Sequence, residues 1–451
     1  MEIKKIRLSN VGRFTDLEVA FAPTDTLVSK VTVFVGNNGC GKTTILTSLA
    51  TSLSWLVARI RSQRSKGVLI DQDCINNDAS TASITLDVHE PGYFNLPHEQ
   101  DFSWTLVRLR PGHVALDKGN LAGATDLAHC YGEMLSIAEV AASLPLIVYY
   151  PVERSVLDIP LELTSRTDFN QLEGYENALG QGVDFTRFFE WFRQREDIEN
   201  ESGISSVLLS DIKKAIATPD KKIIQEIERM HASSRDKQLN AVRKAISAFM
   251  PGFDNLRVQR KPRLLMAIDK GGKTLNVAQL SQGEKSMMAL VGDIARRLAM
   301  MNPGVENPLE GNGVVMIDEV DMHLHPRWQR RLIHQLTETF PNCQFILTTH
   351  SPLVISDSKD VLCYVLDDGK LVEKKGLYGL DANQVLLSVM ETEVRNTDVQ
   401  ERLDQLLDLL QDKKLKAAKT LFEALSGELP AGHIELAKAA LLIRKMELRS
   451  A

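Results

Sequence analysis

The chain has 451 residues, 43% of them apolar and 25% charged, with a formal net charge of −6. This is the balance of an ordinary globular protein, long enough to split into lobes, and it excludes a global basic field for holding nucleic acid. No apolar run approaches the ~20 residues needed to span a bilayer, and five scattered cysteines without a CxxC exclude a disulfide framework or a zinc site. Residues 1–6 alternate like a strand and lack a signal-type apolar core, so a reduced, cytoplasmic chain without a membrane partner is expected.

Residues 1–150 read as the N-terminal lobe of an α/β fold. Strands are expected over 2–9 and 17–21, and alternation over 83–89 and 102–110 predicts an antiparallel β subdomain. Between them, an apolar strand over 31–35 runs into Gly36-Asn37-Asn38-Gly39-Cys40-Gly41-Lys42-Thr43-Thr44, and a helix follows over 45–58. A glycine, four residues and then Gly-Lys-Thr is the Walker A spacing. The glycines let backbone N–H groups curl around a polyphosphate, and the helix points its positive end at it. Residues 36–44 are therefore expected to bind ATP, with Lys42 on the β- and γ-phosphates and the Thr43 hydroxyl on Mg²⁺. A further apolar run covers 144–150; no glutamine after it is placed to serve as a glutamine loop.

Residues 151–275 form a mainly helical insertion. The aromatic stretch over 185–200 has helical spacing and is expected to dock in the core. Residues 220–249 supply one helix or two, after Pro219, and their heptads are too broken for a long coiled-coil arm. A hairpin over 256–258 and 264–269, with a turn at Gly271-Gly272, leads onward.

Residues 276–377 complete the C-terminal lobe. Leu280-Ser281-Gln282-Gly283-Glu284 opens a helix over 286–301; Ser281 and Glu284 have capping-box spacing, and the backbone at Gly283 stands at a helix N-terminus. The four-residue apolar run 314–317 predicts a buried parallel strand ending in Asp318-Glu319. Asp318 would hold Mg²⁺ and Glu319 would accept a proton from the attacking water. Another apolar strand ends in Thr348-Thr349-His350, and a strong hairpin signal lies at Asp367-Asp368-Gly369. His323 and His325 have no further ligands at metal spacing.

Residues 378–451 carry apolar residues at three- and four-residue spacing over 384–389, 399–411, 414–425 and 433–448. They read as a helical module that packs on the lobe or docks a partner.

The order Walker A, LSQGE, Asp-Glu, histidine resembles the ABC-type ATPases, in the LSxGE form of the SMC and RecF branch. The resemblance implies a P-loop NTPase fold of ABC type. In that family the signature, here Ser281, Gly283 and Glu284, caps the ATP held by a second subunit, the D-loop, here Asp321, meets that subunit, and the switch histidine, here His350, senses the γ-phosphate. Residues 6–14 resemble the L-x-N-F-x-x-F entry of the same branch, with Val11-Gly12 as a departure. The 188–200 stretch, Asp321-Met322-His323-Leu324-His325-Pro326 and the tail opening at Tyr378 look like the ATPase subunit of Septu antiphage defence, including retron-associated forms. That resemblance implies a slow ATPase, a homodimer or higher homo-oligomer joined through ATP, and an HNH endonuclease partner; a retron reverse transcriptase with its DNA–RNA hybrid extends the partner list. OLD-type nucleases append a Toprim domain to a similar ATPase; Asp367 and Asp368 form a turn before a helical tail, so no nuclease site is expected in this chain. The alternative is a RecF-like repair ATPase that clamps DNA, and a third reading is an ATP-gated scaffold with negligible hydrolysis. Basic clusters at Arg59–Lys66, Arg257–Arg263 and Arg327–Arg331 are read as solvated faces, and a DNA groove between subunits stays open.

Overall fold

Apolar patterning assigns each strand to a layer in the computed structural model of this chain. It describes residues 1–92, 99–113, 119–137, 142–152, 169–180, 182–202, 236–390, 395–430 and 432–450. In chain order, β1 (Glu2–Val11), β2 (Phe14–Ala20) and β3 (Val31–Gly36) lead to α1 (Lys42–Arg61). β4 (Thr81–Glu90), β5 (Gln100–Leu109), α2 (Ala122–Ile137) and β6 (Leu146–Tyr150) follow. Then come α3 (Phe185–Ser202), α4 (Lys237–Phe249), the meander β7 (Phe253–Gln259), β8 (Leu265–Lys270) and β9 (Lys273–Asn276), and α5 (Gln282–Met301). β10 (Gly313–Ile317), α6 (Leu332–Thr339), β11 (Cys343–Thr348), β12 (Leu362–Asp367) and β13 (Lys370–Lys374) complete the first unit, Met1–Leu380.

The alternating strands pair as an antiparallel sheet in the order β2-β1-β4-β5, and every second residue of β4 is buried. The strands that are apolar throughout form the second sheet, β13-β12-β3-β11-β10-β6, parallel except for the β12–β13 hairpin. A strand buried on both faces needs no alternation, which is why VVMI and LIVYY read as continuous runs. Helix α1 packs against strands of both sheets and against α2, and so most of its residues are buried. Its small polar residues find partners locally: Ser52 accepts from Trp104 Nε1 at 2.9 Å.

The hairpin expected at 256–269 is a three-stranded meander. The Gly271-Gly272 turn joins β8 to β9 rather than closing a two-stranded unit. Of the helical stretch expected over 220–249, Lys237–Phe249 is helix, with Asp236 capping its first turn through Leu239 N–H; 220–235 lies outside the described residues. The Asp368-Gly369 turn between β12 and β13 has φ of 40° and 77°, the left-handed pair a tight hairpin requires.

The second unit, Asp381–Ala451, holds α7 (Ala382–Ser388), α8 (Thr397–Gln411), α9 (Leu415–Glu428) and α10 (Ile434–Ser450). Leu403, Leu406, Leu410, Ala418, Leu425, Leu436, Ala439 and Ile443 form its core.

Candidate nucleotide site

Three neighbouring parallel strands deliver the site. β3, β11 and β10 lie side by side and point their carboxyl ends the same way, so the loops after them meet. After β3 the chain turns through residues 37–41 into α1. Two glycines are required there on steric grounds. A Cβ on Gly36 would sit 2.3 Å from the Leu366 carbonyl oxygen, and one on Gly41, at φ 107°, would sit 2.5 Å from the Phe14 ring. Asn37, Asn38 and Gly39 are exposed at the tip, while Cys40 is buried beneath it. The Lys42 amine folds back over the loop, donating to the Gly36 carbonyl at 2.7 Å and the Asn37 carbonyl at 3.1 Å.

Asp318 is the point of convergence. It is 1% exposed at the end of β10. The Thr43 hydroxyl donates to its Oδ2 at 2.7 Å from the start of α1, and the Thr348 hydroxyl donates to its Oδ1 at 2.5 Å from the end of β11. Thr348 Oγ1 also accepts the Glu319 N–H at 2.7 Å, and Glu319 adopts a φ of 45°, uncommon for a non-glycine residue. Asp321, two residues on, is turned toward its own chain. Its Oδ1 accepts the Thr349 hydroxyl at 2.5 Å and the His350 N–H at 3.3 Å, which ties the expected D-loop to the histidine loop. His350 is half-buried. Burial pushes its pKa down and the nearby Lys42 charge pushes it further, against the carboxylates of Glu319, Asp321 and Asp318, which favours the neutral imidazole.

Ser281, Gly283 and Glu284 form a separate group at the start of α5. Ser281 accepts from Glu284 N–H and its own N–H reaches Glu284 Oε2 at 3.0 Å, a complete capping box. Lys270, at the end of β8, donates to Glu284 at 2.6 Å. Burial alone would raise the Glu284 carboxyl, but the Lys270 and Ser281 hydrogen bonds hold it below the usual range. A Cβ on Gly283 would lie 2.4 Å from the His323 carbonyl oxygen, so α5 begins in close contact with the turn after Glu319. The hydrogen bonds of Ser281 stay within 281–285 among the described residues, and its side chain is exposed. His325 caps the helical turn Pro326–Gln329 through Arg327 N–H.

A family profile described as an AAA domain matches residues 5–246, more than half of the chain. A second AAA-domain profile, whose description also names the AbiEii toxin and a type IV TA system, matches 153–356. The chain is 33% identical over 449 residues to the Retron Ec83 probable ATPase of Escherichia coli, covering 92% of this chain and 80% of that protein. It is 34% identical over 373 residues to the Retron Vc95 probable ATPase of Vibrio cholerae serotype O1 biovar El Tor, covering 78% and 72%. The chain belongs to the retron-associated ATPase family. This family of compact ABC-type ATPases reaches toward Septu: the Septu protein PtuA of Bacillus thuringiensis is 23% identical over 358 residues, covering 78% of this chain and 72% of that protein.

The residues of this retron-family ATPase fit a nucleotide with Mg²⁺. Thr43 and Asp318 place two hard oxygens 2.7 Å apart beside an exposed glycine-rich tip. No group of three or more His, Cys, Asp or Glu side chains stands at metal-binding spacing among the described residues. That donor set suits an ion that keeps several waters and takes phosphate oxygens, as Mg²⁺ does.

Two residues at the site carried no assignment in the sequence. Arg13, in the β1–β2 turn, donates to the Gly39 carbonyl at 2.6 Å and to Asp368 at 2.9 Å, pinning the loop tip from the antiparallel sheet. Thr348 is the bridge between Asp318 and Glu319. The Thr-Thr-His string was the available signal for Thr348; Arg13 had none beyond its place in the 6–14 segment.

Proposed function

We propose that this ATPase hydrolyses ATP between two copies of the chain and, in antiphage defence, uses that cycle to control an HNH-type endonuclease. One observation carries the catalytic half: Thr43 and Thr348 converge on Asp318, with Glu319 and His350 held on the same two loops. Loop residues 36–41 and 44 wrap the phosphates with backbone N–H groups, and Lys42 exchanges its two carbonyl partners for β- and γ-phosphate oxygens. Thr43 and Asp318 hold Mg²⁺, which when bound neutralises charge on the phosphates. Glu319 takes the proton of the attacking water, and the neutral His350 imidazole donates to the γ-phosphate. Asp321 positions His350 through its backbone. Ser281 and Gly283 of a second copy close the site, with Glu284 holding that helix tip in shape.

The defence half draws on the printed names of the relatives, two retron ATPases and a Septu protein. In this reading residues 378–451 dock the effector subunit, the two ATPase lobes and the insertion lie within residues 1–377, and a reverse transcriptase with its DNA–RNA hybrid joins the assembly. Glu319→Gln tests the catalytic half. Removing a general base costs about 10²- to 10⁴-fold in rate, so phosphate release should fall by that factor while ATP binding persists. Unchanged turnover would remove Glu319 from the base role, and the absence of measurable turnover in the parent chain would leave the scaffold reading.

A further inference from the structure

Helix α10 is apolar on two opposite faces. One face, Leu436, Ala439 and Ile443 with Met446 beside them, closes the core of the second unit. On the other, Ile434, Leu441 and Leu448 recur every seven residues and are 68%, 69% and 76% exposed. A seven-residue step returns to within about 20° of the same direction on a helix, so the three side chains form one ridge about 21 Å long. Single exposed leucines are ordinary on any surface; three in heptad register are the seam of a helix pair. A helix that is apolar on both sides is normally covered on both.

The charges beside the ridge have one sign. Lys438 and Lys445 lie about 40–60° to one side of it and Arg444 about 60° to the other. The carboxylates of this helix are engaged within the unit: Glu447 pairs with Lys419, and Glu435 with Arg395 at 3.6 Å and Lys438 at 3.3 Å. Arg444 and Lys445 have no carboxylate partner among the described residues. Two copies of this ridge face to face would bring like charges together, which argues against self-pairing.

We propose that the ridge takes one amphipathic helix of a protein partner, with leucine-type anchors at heptad spacing and glutamate or aspartate beside them. This rests on the reading of residues 378–451 as the docking module and names the surface and the chemistry of its partner.

Two synthetic helical peptides test it, with the same leucine heptads and either glutamate or lysine at the flanking positions. They are titrated against the full chain, its Leu441→Asp variant, and a chain carrying Lys438→Glu, Arg444→Glu and Lys445→Glu together. The glutamate peptide is expected to bind the parent chain at least about tenfold more tightly than the lysine peptide, a difference of about 1.4 kcal/mol. Leu441→Asp should weaken it about as much, and the charge-reversed chain should prefer the lysine peptide. Equal binding of both peptides, or no effect of either set of changes, overturns the proposal. So does a loss of self-association in Leu441→Asp without any peptide preference, which would assign the ridge to a second copy. Co-purification with an HNH subunit, run alongside, decides the docking reading separately. A subunit that does not bind the parent chain at all sinks that reading, and the peptides still decide the ridge.

Discussion

Asp318 shows how much of the site depends on single hydroxyls. Thr348 donates to it and at the same time accepts the Glu319 N–H, so one side chain sets both acids of the pair. A hydrogen bond to a charged group contributes roughly 1.5–3 kcal/mol. Thr348→Val should therefore lower ATP turnover about ten- to a hundredfold while nucleotide titrations show little change in affinity. His350 gives a pH signature. Its folded pKa lies below the ordinary 6.5, from burial first and Lys42 second. The stability tied to its neutral form is present above 6.5 and is lost as pH falls through the depressed folded value. Melting curves between about pH 5 and 8 should show that acid limb in the parent chain and a shallower one in His350→Gln. Lys42, Thr43 and Asp318 could be read from spacing because the chemistry constrains neighbours in sequence. Arg13 could not, because its partners Gly39 and Asp368 lie far along the chain.

At the scale of elements, α5 is fixed to the parallel sheet by a buried polar cluster. Asp293 of α5 accepts from Tyr150 Oη at 2.9 Å, from Arg296 at 2.7 Å and from Arg297 at 2.7 Å, and Arg297 also donates to the Gly174 carbonyl at 2.6 Å. Burial alone would raise the Asp293 carboxyl, but the Arg297 and Arg296 guanidiniums hold it below the usual range. The Tyr150 carbonyl, in turn, accepts the Asp318 N–H at 2.9 Å, so one residue of β6 touches both α5 and the Asp318-Glu319 turn. Tyr150→Phe removes one donor from a fully buried carboxylate, which costs about 1–3 kcal/mol. Chemical denaturation should show that loss, with the midpoint moved and the slope unchanged. Periodicity identified α5 as a helix, but charges at 293, 296 and 297 on a helix usually mean a solvated face. Their burial follows from β6 and the 171–176 segment lying against them, which no local pattern encodes. The same limit explains the meander: β9 is four residues long, and only its pairing with β8 makes it a strand.

For the whole molecule, the parallel sheet was legible because continuous apolar runs at 31–35, 144–150 and 313–317 leave few alternatives to buried strands. The strand order was not, since parallel neighbours are joined by long connections. The same architecture leaves Ser281 exposed at a helix tip, bonded only to its own first turn. That geometry motivates the central proposal, in which the serine completes a site on another copy. Cross-linking tests it most directly. Chains carrying Asn38→Cys and chains carrying Ser281→Cys, both with Glu319→Gln to slow turnover, are mixed and oxidised with ATP and Mg²⁺ or with ADP, against a Glu319→Gln control for the native cysteines. The account predicts a mixed cross-linked dimer that forms with ATP and is absent with ADP; no such product at saturating, demonstrably bound ATP would contradict it.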